Sequence, residues 1–80
     1  MSEPLSISVN VSHIEGRWYG RSKDLFGLNA GSATPEGLRS SLRAAIIFLM
    51  KHNKGVDVHV EDVDARPDIG QEIKFLAVPA

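Results

Sequence analysis

Side chains able to do chemistry are sparse in this chain of 80 residues. The nearest approach to a metal-ligating set is Asp57, His59 and Glu61, which alternate with Val56, Val58 and Val60 and so fall on one face of a strand. An ordinary solvated strand face has the same appearance, and no metal site is expected from it. His13-Ile14-Glu15 has the His-x-Glu spacing of zinc deaminases, but that chemistry also takes a cysteine pair, and the chain has no cysteine. Nucleophilic catalysis needs a serine or threonine beside a base. Eight serines are present, yet Ala30-Gly31-Ser32-Ala33 departs from the Gly-x-Ser-x-Gly elbow, and residues 31–37 lack the lysine of a phosphate-binding loop. Gly37 is explained by close packing of a helix end on a sheet. His52, near the end of the same helix, complements its dipole. The sequence predicts no catalytic residue, no metal and no cofactor.

One charged surface stands out. Arg39, Arg43, Lys51 and Lys54 form a basic helix stripe, and Trp18 with Tyr19 lie on a neighbouring strand, which raises RNA binding as the alternative function. An exposed helix face explains the stripe as well. With a net charge of -1 and a pI near 6.3 there is no global basic field to hold nucleic acid. Residues 1–55 carry seven basic and four acidic side chains (+3), and residues 56–80 carry two and six (-4), a polarity suited to two halves folded against each other.

The elements that position these residues follow from period and punctuation. Leu5, Ile7, Val9 and Val11 alternate with Ser6, Ser8, Asn10 and Ser12, the period of a strand with one buried face. Glu15-Gly16 supplies a turn, and residues 17–23 return as a second strand with Trp18, Gly20 and Ser22 on one face and Tyr19, Arg21 and Lys23 on the other. Asp24-Leu25-Phe26-Gly27 makes a corner, and residues 28–32 a third short strand. Thr34-Pro35-Glu36 combines an N-cap, a proline in the first turn and an acid at the positive helix end, so a helix starts at Pro35. At about 100° per residue, Leu38, Leu42, Ala45 and Leu49 centre its apolar face, flanked by Ile46 and Met50 on one side and Phe48 on the other. Ile47 sits among the charges. Asn53-Lys54-Gly55 ends the helix, and Val56, Val58 and Val60 begin a fourth strand, expected to lie parallel to an earlier one through a crossover. Residues 62–70 form a polar connection containing Pro67, and residues 71–78 a candidate fifth strand whose pairing Pro79 stops. The class is α+β, one domain over residues 1–80, in the order β-β-β-α-β with a fifth strand-like run.

The stretch from Trp18 to Asn53 resembles the HicB-like antitoxin domain superfamily, and most closely an uncharacterised bacterial branch of it without a DNA-binding module. The resemblance rests on a short hairpin, the corner Asp24-Leu25-Phe26-Gly27-Leu28, and Thr34-Pro35-Glu36-Gly37-Leu38 seven residues after its glycine, with Leu42 and Leu49 continuing the helix. Phe26 replaces the usual proline, Ser32 a common glycine, and Leu38 a frequent alanine. The resemblance implies a partial ribonuclease-H-like fold. An active nuclease of that class needs several core carboxylates for two metal ions, whereas the first strand offers Asn10 and serines.

These readings lead to a non-enzymatic protein-interaction domain, resembling HicB antitoxins, that masks a HicA-type RNA-cleaving toxin. Trp18, Tyr19, Leu25 and Phe26 around the hairpin and corner are the candidate contacts, with Arg39, Arg43 and Ile47 on the helix as a second surface. A start of Met1-Ser2-Glu3-Pro4 and an apolar run confined to residues 44–50 predict a cytoplasmic, non-membrane protein. Residues 73–78 could pass for a ribbon strand, but no helix follows, so no sequence-specific DNA binding is expected of this chain alone. A chain this short buries only about 60% of its surface. Without disulfides, it is expected to gain stability as a homo-oligomer through the free edge of its last strand.

Overall fold

The structure, a computed structural model, describes residues 3–63 and 72–80. Strands β1 (Leu5–Ile14), β2 (Arg17–Arg21) and β3 (Asn29–Ser32) precede one helix, α1 (Pro35–Lys54), and β4 (Val58–Asp62) and β5 (Glu72–Pro79) follow it. The five strands form one sheet in the order β3-β2-β1-β5-β4, with every neighbouring pair antiparallel.

The alternation in β1 buries Ile7 and Val9 beneath α1, where Phe75 and Ile73 of β5 stand opposite them in register. Leu38, Leu42, Ile46 and Met50 of α1 close the core from above, with Val58 and Val60 at one flank and Leu25 and Leu28 among the same cluster. At the centre, helix and sheet approach closely. A Cβ on Gly20 would stand 3.0 Å from both Leu42 Cδ1 and Val9 Cγ1, so the absence of a side chain there sets the spacing.

The local signals act as the sequence predicts. Glu15 (φ 50) and Gly16 (φ 78) are the two central residues of a tight turn joining Ile14 to Arg17, the left-handed pair that suits strand twist. Thr34 is extended (φ -132, ψ 154), and its hydroxyl accepts the Gly37 N–H at 3.0 Å. A Cβ on Gly37 would collide with the Ser32 Oγ, which ties this end of the helix to β3. At the other end Gly55 (φ 67) lets its own N–H and that of Val56 reach the Lys51 and Met50 carbonyls.

Several expectations are corrected. β4 runs parallel to the earlier strand β1, as expected of a crossover, but it is not the neighbour of β1, because β5 is inserted between them. β5 is therefore interior, with Phe75 and Ala77 paired on both sides and Ile73 with Val9 of β1, so among the described residues its ladders are taken up within the chain rather than left for a second copy. Pro79 is the last residue of β5 and is itself paired, standing opposite Val58 beyond the end of the β1 ladder at Ala77, and the Ala80 N–H then donates to the Asp57 carbonyl. On α1 the buried stripe is Leu38, Leu42, Ile46 and Met50; Ala45 and Leu49 are half-buried and Phe48 faces outward. The helix is thus rolled toward β4. Val56 precedes β4 but packs against the core. Within the expected connection, Asp62 belongs to β4 and residues 64–70 lie outside the described residues, as does Gln71.

Candidate functional site

Among the described residues the corner between β2 and β3 is the most heavily braced irregular segment. β1 pairs with β2 only from Asn10 onward, so the backbone of Ser8 on that side has no strand to bond. Side chains take over. The Asp24 carboxylate accepts the Ser8 N–H at 2.8 Å, and the buried Ser22 hydroxyl donates to the Ser8 carbonyl at 2.7 Å while accepting the Asp24 N–H at 3.1 Å. The Ser22 N–H donates to the Leu28 carbonyl and the Leu28 N–H to that of Leu25, both at 3.1 Å, and Gly27 turns the chain at φ 85. Leu25 and Leu28 on either side are each 2% exposed and lock the corner into the core. Between them Phe26 is 90% exposed. Gly27 packs toward Leu49 of α1, a Cβ there falling 3.7 Å from the Leu49 methyl. Phe48, the neighbour of Leu49 in sequence, is 64% exposed and stacked on His52 with ring centres 5.6 Å apart.

The predicted contact residues do not form one surface. Trp18 is half-buried on the helix-facing side of β2 and stacked on His13 at 4.0 Å, whereas Tyr19 projects from the opposite face. Leu25 is core and has no surface to offer a partner. Phe26 is presented fully, at the end of β2 away from the hairpin. Ile47 is partly exposed on the outer side of α1.

The basic stripe is largely neutralised within the chain. One Arg43 Nη lies 3.0 Å from both oxygens of Asp62, and Arg39, with a side chain only 12% exposed, lies 4.0 Å from the same carboxylate. Lys51 lies 3.3 Å from Asp57. That pairing also turns Asp57 toward α1, leaving His59 and Glu61 together on β4 at 3.5 Å. No group of three potential metal ligands exists among the described residues.

Two features escape the sequence reading. Phe48 is 64% exposed and stacked on His52, whereas the helical wheel places it on a packed flank. On the face of the sheet away from α1, Asn10 and Ser12 of β1, Tyr19 and Arg21 of β2, and Asn29 and Gly31 of β3 line a shallow depression. Their alternation is visible in the sequence, but their convergence needs the strand order and register. No helix among the described residues is long and apolar enough to cross a membrane. No family model, no curated protein and no solved structure matches the chain.

Proposed function

We propose that the chain is a non-enzymatic protein-interaction domain of the HicB-like kind that masks a HicA-type RNA-cleaving toxin by steric occlusion. The observation that carries this reading is Phe26: an aromatic side chain 90% exposed on a corner whose backbone is fixed by two buried leucines and the Ser8, Ser22 and Asp24 hydrogen bonds. An apolar side chain carried on a fixed backbone gives up only its own rotamer freedom on docking and desolvates a large area, the properties of an interface anchor. The resemblance adds support, since the corner and the Thr34-capped helix on which it rests are both formed here. RNA binding along the helix stripe is the weaker reading, because Asp62 and Asp57 engage Arg39, Arg43 and Lys51.

Calorimetry against the products of neighbouring genes, a short basic HicA-type protein first, tests the reading. Binding is expected at micromolar concentration or below. Phe26→Ala should weaken it by about 2 kcal/mol, roughly 30-fold, with little change in melting temperature because the ring is not part of the core. Absence of binding, or a Phe26→Ala variant that binds as tightly as the parent, removes the reading.

A further inference from the structure

The bare face of the sheet has two unlike halves. On the β5 and β4 side the acids have close neighbours: Lys74 lies 4.0 Å from Glu72, and the His59 imidazole 3.5 Å from Glu61. On the β2 and β3 side lies the depression, about 600 Å³ in volume. Tyr19 and Arg21 share its floor, two residues apart on β2 and so about 7 Å along the same face. Asn10 and Asn29 flank Arg21 in register, and Ser12 flanks Tyr19. Arg17 continues that face of β2 toward the hairpin. Among the described residues no carboxylate pairs with Arg17 or Arg21. Glu72, the acid in register nearest to Arg21, stands beyond Asn10 in the next strand but one.

We propose that this half of the sheet binds single-stranded nucleic acid, one base lying on Tyr19 and the adjoining phosphates meeting Arg21 and Arg17. Three observations point to that ligand. Tyr19 is 42% exposed, and its ring reaches across to Gly31, where a Cβ would stand 3.2 Å from Cδ1; the glycine lets the ring lie over β3. Among the described residues the two arginines have no carboxylate partner, so a polyanion adds charge pairing at little cost in broken contacts. The remaining polar groups are neutral amides and hydroxyls, which can both donate to and accept from base edges. An unpaired strand exposes its base faces to such a platform, and a duplex hides them. The site is distinct from the helix stripe and from the Phe26 corner.

Fluorescence anisotropy of a labelled oligouridine RNA of about eight nucleotides, with the same strand annealed to its complement as the second arm, tests the proposal. At low salt the single strand should bind with a Kd on the order of 100 µM or tighter, and the duplex more weakly. The dependence of log K on log salt should have a slope of about -1.4, two phosphate contacts on a single strand, falling to about -0.7 in Arg21→Ala. Tyr19→Ala should weaken binding about tenfold, and Tyr19→Phe should retain it. Lys54→Glu on the helix and Phe26→Ala on the corner should leave it unchanged. Circular dichroism melts establish that each variant is folded. Binding that survives Tyr19→Ala and Arg21→Ala in folded protein, that is lost in Lys54→Glu, or that is equal for duplex and single strand overturns the proposal, as does the absence of binding to the single strand.

Discussion

β1 has two neighbours in succession rather than side by side. Residues 5–10 pair with β5 and residues 10–14 with β2, so the two ladders overlap only at Asn10. The first half is the structural half: Ile7 and Val9 are fully buried, opposite Phe75 and Ile73, with α1 above them. In the second half Val11 is only partly buried, while Ser12, His13 and Ile14 are exposed and the tight turn projects beyond them. The offset accounts for an elongated molecule of 41 × 22 × 18 Å. Stability is concentrated where the long ladders stack apolar residues. The extending half, built with small and polar residues, keeps a face open for a ligand.

Substitutions should separate the two halves cleanly. The largest effect belongs to Phe75→Ala, which empties the centre of the β1–β5 half. A loss of about 3–5 kcal/mol would consume most of the stability of so small a domain, and equilibrium denaturation should find the variant largely unfolded. An intermediate effect is expected at the junction. Asp24→Ala removes the acceptor of the Ser8 N–H where the second ladder ends, and urea titration should show a loss of about 1–2 kcal/mol. Asp24→Asn, which keeps an oxygen acceptor, should recover part of it. The smallest belongs to Ile14→Ser at the end of the hairpin, within about 0.5 kcal/mol of the parent. Amide hydrogen exchange reports on the same division without substitution. The amides of residues 11–14 should exchange through local opening well before those of residues 5–9. Equal protection of both, or a large cost at Ile14, would show that β1 acts as a single cooperative unit.

Much of this arrangement is legible in the sequence because its signals are local. The Leu5 to Val11 alternation, the Glu15-Gly16 turn, the Thr34-Pro35 start and the Gly55 stop each act within a few residues, and each is where the sequence predicts it. The placement of β5 is not local. It depends on Ile73, Phe75 and Ala77 being apolar enough to take the central position between β1 and β4, a competition among distant segments. The outward turn of Phe48 has a similar origin. A helical wheel fixes relative angles, but the roll of α1 is set by which flank the sheet covers, and the Arg39 and Arg43 pairs with Asp62 join the helix to β4. Ser8 and Asp24, sixteen residues apart, show no pattern that would link them before the ladder is known to change partners at Asn10.

The insertion of β5 between β1 and β4 also orders events in time. During synthesis residues emerge at about 5–20 per second, and the strand that joins β4 to β1 is translated after both of them. Until residues 72–79 are available, the hairpin, the corner and the helix can assemble on β1, but β4 has no strand to pair with, and the edge of β1 that bears Ile7 and Val9 stays uncovered. Residues 72–79 close both gaps, because one strand bonds to β1 on one side and to β4 on the other.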